Sequence, residues 1–351
     1  MESIQSYLKR AAEENASDLF ISAGKVISVK KGQTMMPVGN GPLQPEQAAE
    51  LVRELYKIGG RPIDRYEAGG DDDFSVAVPG VARFRINAHR QRGTMAAVIR
   101  VVRFGIPDSR KMGIPEEVMR IADIPSGLVL VTGPAGSGRS TTLACIINAI
   151  NHSRSTHIVT VEDPIEYLHK DAQSYITQRE VAVDTKSYAV ALRASLRQAS
   201  NVILLEELDC EETIRLSITA AESGHLVLSS LHTLGAVNTI EHLLEQFPPS
   251  QQAQMRLQLS KVLKALVSQQ LLPTVGGGVV PAFEVVHVDN AVRGMVREGH
   301  MQQIDSVIRD FAPTGVVGMD ASILRLYRAG RVSRETALQA AMNGDVLQKK
   351  L

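Results

Sequence analysis

The chain has 351 residues, 44% of them hydrophobic and 22% charged, with 38 Lys and Arg balanced by 38 Asp and Glu. Zero net charge excludes bulk attraction to nucleic acid or to an anionic membrane, so such a partner would have to meet a local patch. The 2 cysteines, Cys145 and Cys210, are too few for a disulfide framework and stand at no metal-ligand spacing with histidines.

Met1 to Asn15 carries charges throughout and lacks the apolar centre of a secretion signal. No run approaches the ~20 apolar residues that a spanning helix needs. The length fits two domains, and a cytoplasmic protein working beside a membrane is expected.

In chain order, Ile4, Leu8 and Ala11 recur at helical spacing, and Leu19 to Ile21 reads as a short strand. Gly24 to Met36 reads as a strand pair turning near Lys31-Gly32. Gln44 to Tyr56 is helical, with Ala48, Leu51, Val52 and Leu55 on one stripe. Asp71-Asp72-Asp73 reads as a solvated acidic turn before the strand Phe74 to Val78. Ala82 to Ala88 and Thr94 to Val102 form a hairpin rich in arginine: Arg83, Arg85, Arg90, Arg92, Arg100 and Arg103. Strand alternation puts Arg83, Arg85 and Asn87 on one face, opposite Phe84, Ile86 and Ala88. That face fits a solvated surface or arginines reaching a neighbouring subunit's γ-phosphate. Gly105 to Pro115 is rich in glycine and proline and reads as a linker, with a helix Glu116 to Ala122 beyond it.

The second half opens on the apolar strand Leu128 to Thr132. It runs into Gly133-Pro134-Ala135-Gly136-Ser137-Gly138-Arg139-Ser140-Thr141-Thr142 and a helix from Ser140 to Ile150, in which Cys145 is a small core residue. Strand, glycine loop and helix make a phosphate cradle. Glycines turn backbone N–H groups onto an anion, the helix start adds its positive end, and the Ser140 hydroxyl is placed for Mg²⁺. The motif asks for lysine where Arg139 stands, and a wide planar guanidinium does not replace a compact ammonium among phosphates. Nucleotide binding is expected, with slow hydrolysis.

Thr156 to Val161 is a further strand, ending at Glu162-Asp163-Pro164-Ile165-Glu166. Glu162 could polarise an attacking water, or the segment could be a surface turn. After a helix Tyr188 to Gln198, the strand Asn201 to Leu205 ends in Glu206-Glu207, of which only one can face a nucleotide, in the place that Mg²⁺ and the lytic water require. Thr213 to Ser223 is a helix, and His225 to Thr233 a strand with a histidine at each end. His232 fits a γ-phosphate sensor or a structural residue. Ser250 to Leu272 reads as one long helix, Val279 to Val288 as a strand, and the rest as helices. Arg293 and Arg297 share a helical face, solvated or turned to a partner.

These residues resemble a known family. Ala16-Ser17-Asp18-Leu19, Asp73-Phe74-Ser75, Val78 to Arg85, the phosphate loop, Thr160 to Glu166, Gln178-Arg179-Glu180-Val181, Gly224 to Val227 and Leu231-His232-Thr233 are similar to the type IV pilus retraction ATPases, within the type II/IV secretion ATPase superfamily. Ala291 to Glu298 is similar to that family's retraction signature. The resemblance implies an α/β chain with a PAS-like α+β domain over residues 1–104. A linker over 105–118 and a RecA-like P-loop NTPase domain over 119–351 follow, the latter with a mainly parallel sheet and a helical tail from about residue 290.

It further implies a homohexameric ring using ATP and Mg²⁺ to retract pili, docked at the inner face of the cytoplasmic membrane on the machinery's platform protein, without nucleic acid and with room for a paralogous ATPase. Glu162 is then the catalytic base, and Glu207 serves with Ser140 at Mg²⁺. His225 and His232 sense phosphate, and Arg85, Arg92 and Arg100 act across the subunit boundary. The chain departs from the family at Arg139, Asn201, Glu206, Asp209 and His242. A Glu206 carboxylate ~4 Å from a phosphate charge would cost about 4 kcal/mol at an effective dielectric near 20. A slow motor and a non-catalytic, nucleotide-binding ring subunit are both expected readings; a nucleic-acid translocase lacks a basic, aromatic channel.

Overall fold

A computed structural model describes residues 2–32, 34–102, 105–208, 210–309 and 316–351; Arg103 and Asp209 lie outside them. The chain divides into two compact units, residues 1–105 with 166–168, and residues 106–165 with 169–351.

The first unit is an antiparallel sheet with helices. Its strands are β1 (Asp18–Ser22), β2 (Val26–Lys31), β3 (Thr34–Pro42), β4 (Asp71–Val78), β5 (Ala82–Gln91) and β6 (Thr94–Val102), in the spatial order β3-β2-β1-β6-β5-β4. The helix Ile4–Glu13 buries Ile4, Tyr7, Leu8 and Ala11, and Pro45–Ile58 buries Ala48, Leu51, Val52, Leu55 and Tyr56. Along β5, buried Phe84, Ile86 and Ala88 alternate with partly exposed Arg83, Arg85 and Asn87, as the period of two requires.

The acidic cluster is not a solvated turn. β4 begins at Asp71, and Asp72 is only 3% exposed. Its carboxylate accepts from Arg61 Nε and Nη2, both at 2.9 Å, and from the Tyr56 hydroxyl at 3.2 Å. Burial became tolerable because a bidentate guanidinium and a phenol replace the lost water.

The second unit is a mainly parallel sheet. Its strands are β7 (Gly127–Thr132), β8 (His157–Glu162), β9 (Tyr175–Glu180), β10 (Val202–Glu207), β11 (Leu226–Leu231), β12 (Leu263–Pro273), β13 (Val279–His287) and β14 (Val316–Val317), in the order β14-β13-β12-β7-β11-β10-β8-β9. β12 through β9 run parallel, and β13 and β14 are antiparallel additions. Helices cover both faces, so central strands read as unbroken apolar runs. Leu128 and Leu130 of β7 enter one core, Val129 and Val131 the other.

Two readings of local pattern change here. The expected helix Ser250 to Leu272 ends at Val262, and Leu263–Pro273 is instead β12, paired with β7 and β13. A short apolar run suits a buried strand as well as a helix face, and two open sheet edges decided it. The helix expected from Glu116 to Ala122 is one α turn, Glu116–Met119, followed by a 3₁₀ turn, Arg120–Asp123. The C-terminal region is helical, with Met319, Ile323, Leu324, Ala337 and Leu347 packed on Leu272, Val280 and Ala282. Among the described residues no helix is long and apolar enough to cross a membrane.

Candidate functional site

β7 sits where the strand order reverses, between β12 and β11, and open parallel sheets bind ligands at the carboxyl end of such a strand. There Gly133 takes φ +147°, Gly136 +77° and Gly138 +92°, and Gly138 caps the helix Arg139–Ser153. A Cβ on Gly133 would stand 2.2 Å from the Gln269 carbonyl oxygen and 2.7 Å from Ser137 Oγ. One on Gly138 would stand 2.8 Å from Gln269 Nε2. Only glycine fits these two close approaches. Pro134, Ala135 and Gly136 form the exposed rim, whereas Ser137 is 2% exposed, its Oγ without a hydrogen-bond partner among the described residues. Arg139, Ser140 and Thr141 make the first helical turn, whose N–H groups have no intrahelical acceptors.

β12 holds this loop from behind. Thr142 Oγ1 donates to Gln269 Oε1 at 2.7 Å, and the Thr132 and Ser268 hydroxyl oxygens are 2.8 Å apart, all buried. Ser268 and Gln269 were missed in the sequence because their stretch reads as helix; the signal was the break of helical period across Ser268-Gln269-Gln270.

The ends of the neighbouring strands bring carboxylates to the same edge. Glu162 closes β8, 9% exposed, and its Oε1 accepts from Thr160 Oγ1 at 2.6 Å and Gln178 Nε2 at 3.1 Å. On β10 the register against β11 shifts between Leu205 and Glu207, leaving Glu206 as the extra residue. The shift sends the two glutamates apart. Glu207 Oε1 lies 3.2 Å from His232 Nε2, and that nitrogen lies 3.3 Å from Arg139 Nη2. Glu206 Oε2 accepts from the Asp163 N–H, and from the Tyr188 hydroxyl at 3.4 Å. Burial first, then the Glu206 charge, pushes that phenol far above its usual range. The Glu206 carboxylate is thus engaged by the residue that follows β8 and by the Tyr188 hydroxyl.

His225 does not join the group. It precedes β11, its Nδ1 3.1 Å from both the Ala220 carbonyl oxygen and Ser223 Oγ. His232 follows the same strand, so the strand's length, about 20 Å, separates His225 from the phosphate-loop edge. Asn201 is equally remote, its Oδ1 accepting from His157 N–H at 3.2 Å before β10. Arg85, Arg92 and Arg100 belong to the other unit. Arg100 Nε donates to Asp18 Oδ1 at 3.0 Å, Arg85 is its cross-strand neighbour, and Arg92 occupies the exposed β5–β6 turn at φ +49°. Among the described residues no cluster of three or more His, Cys, Asp or Glu could hold a metal.

A switch-point strand feeding a glycine loop into a helix, with carboxylates on adjacent strand ends, defines a phosphate-loop α/β protein. Residues 1–307 match the family described as type II/IV secretion system protein. The chain belongs to that family. It is 38% identical to the type IV pilus retraction ATPase PilT of Pseudomonas aeruginosa, over 96% of this chain and 98% of the relative. It is 40% identical to a twitching motility protein of Neisseria gonorrhoeae, over 86% of this chain and 81% of the relative. A crystal structure of the pilus retraction motor PilT with bound ADP superposes with TM-score 0.90 at 39% identity, covering 99% of this chain and 100% of that one.

Proposed function

We propose that this chain is a slow ATP-hydrolysing motor subunit that works in a hexameric ring to power type IV pilus retraction. The observation that carries the reading is the gathering of Glu162, Glu207 and His232 at the carboxyl edge that also carries the phosphate loop. The cradle suits a phosphate, because it holds a buried Ser137 hydroxyl without a partner among the described residues, and its glycines let the loop pack tightly against Gln269 behind it at the start of a helix. The retraction ATPase of P. aeruginosa, and the ADP in the related crystal structure, support ATP as substrate.

In this reading residues 133–142 wrap the phosphates. The Ser140 hydroxyl and Glu207 carboxylate, hard oxygen donors, would hold Mg²⁺, which when bound neutralises phosphate charge. Glu162 takes the proton of the attacking water, and His232 stands between Glu207 and Arg139 of the loop. Arg85, Arg92 and Arg100 reach the site of the next subunit, with residues 1–104 as the arginine-bearing domain, 105–118 as linker and 119–351 as motor. His225 acts from the far end of its strand, at a neighbour's surface. The ring works in the cytoplasm on the platform protein of the pilus machinery at the inner membrane face, alone or beside a paralogous ATPase.

A second reading, a nucleotide-binding ring regulator without turnover, is favoured by Arg139, whose guanidinium meets His232. Steady-state ATP hydrolysis by the purified protein, wild type against Arg139→Lys and Glu207→Ala, separates the two. The motor shows low turnover that rises with Arg139→Lys and vanishes with Glu207→Ala. Turnover in neither wild type nor Arg139→Lys overturns the motor and leaves the regulator.

A further inference from the structure

The segment Gln178-Arg179-Glu180-Val181 has no part in the chemistry above, yet β9 lies directly against Glu162. In the parallel register of β8 and β9, Gln178 stands opposite Thr160, and Glu180 opposite Glu162. Thr160 and Glu162 are two residues apart and project to one face of β8. Thr160 Oγ1 and Gln178 Nε2 therefore converge on one oxygen, Glu162 Oε1, at 2.6 and 3.1 Å.

The Gln178 amide has one workable orientation. Its Oε1 accepts from the His169 backbone N–H at 2.9 Å, and its Nε2 donates to the carboxylate. A backbone N–H only donates and an ionised carboxylate only accepts, so flipping the amide would break both bonds. The turn beyond Glu162 is pinned too: Glu180 Oε2 accepts from Ile165 N–H at 3.2 Å, and Glu206 Oε2 accepts from Asp163 N–H. Side chains of an edge strand, β9, thus fix both the carboxylate and the turn that follows it.

We propose that Gln178 is a positioning residue for Glu162, holding one carboxylate oxygen, together with Thr160, so that Glu162 keeps the rotamer in which it serves as base. The inference rests on Glu162 having that role. A base must be held close to its working geometry, and displacement of about 1 Å costs on the order of 100-fold in rate. Removing a hydrogen-bonding partner behind a working group typically costs 10–100-fold.

Gln178→Glu is the discriminating variant. It preserves size and the acceptor for His169 N–H, and replaces the donor to Glu162 with a second carboxylate oxygen that repels it. At pH 8, kcat for ATP is expected to fall about 10–100-fold, with KM for ATP, affinity for a fluorescent ADP analogue and the thermal midpoint within error of wild type. A crystal structure of the variant is expected to show the Glu162 carboxylate swung away from Thr160. A kcat within threefold of wild type, or a fall that merely tracks lost nucleotide affinity or thermal stability, overturns the inference. If wild type turns over no more ATP than Glu207→Ala, the motor reading fails instead. The crystal structure then decides the contact by itself: a displaced Glu162 upholds the positioning, and an unmoved one overturns it.

Discussion

Nη2 of Arg139 lies 3.3 Å from Nε2 of His232, and the same ring nitrogen lies 3.2 Å from Glu207 Oε1. One imidazole nitrogen carries either a hydrogen or a lone pair. Carrying hydrogen, it donates to Glu207 and cannot accept from Arg139; bare, it accepts from Arg139 and turns a lone pair on the carboxylate. Arg139 and Glu207 therefore compete for His232. A double-mutant cycle of Arg139→Lys and His232→Ala on ADP affinity should show a coupling of about 0.5–1 kcal/mol, the low end because these side chains are partly exposed. Additive effects would show that the two residues act independently.

The loop glycines should rank by what surrounds them. Gly133→Ala drives a methyl into the Gln269 carbonyl oxygen at 2.2 Å and should cost about 2–3 kcal/mol of stability and abolish nucleotide binding. Gly136→Ala meets nothing within 4 Å and carries only the φ +77° penalty, about 1 kcal/mol. Thermal midpoints and nucleotide titrations read both, and equal losses at the two positions would contradict the close approach.

In the first unit, Asp72 is held by Arg61 on two sides. Arg61→Ala leaves a carboxylate buried with its chief partner gone and should destabilise that unit by about 3–5 kcal/mol. Urea unfolding followed by a probe in residues 1–102 measures it, and a loss below about 1 kcal/mol would mean that water replaces the guanidinium.

Burial holds the His169 imidazole at about 4, below the ordinary 6.5, and its Nδ1 has no hydrogen-bond partner among the described residues. Above pH 6.5 the ring is neutral in both folded and unfolded chains. As pH falls from 6.5 to about 4 the unfolded chain binds a proton that the folded one refuses, so stability is lost across that window, by roughly 3 kcal/mol. Unfolding free energy measured from pH 7 to pH 4 should fall less steeply in His169→Asn; identical slopes would remove His169 from the account.

Much of the architecture was legible locally. The stripes Ile4, Leu8, Ala11 and Ala48, Leu51, Val52, Leu55 became the buried faces of helices, and the apolar run 128–132 became a strand covered on both sides. The phosphate loop was legible because its glycines answer to backbone geometry, which the residue type alone reveals. What stayed hidden depended on pairing with distant chain. Leu263–Pro273 looked helical until β7 and β13 claimed it, and with it went Ser268 and Gln269, the supports behind the loop. Asp72 looked solvated because Arg61 and Tyr56, its partners, lie outside its own strand.

Residue order alone settled that this chain alternates strands and helices around a glycine loop with an arginine in the lysine's place, since periodicity and φ preference act over a few residues. Only the folded chain settled that Glu207 and not Glu206 meets His232, that His225 stands a strand's length from it, and that Gln178 reaches Glu162. Those outcomes follow from register, chain direction and one bulge between β10 and β11, where a shift of a single residue reverses the side on which a carboxylate emerges.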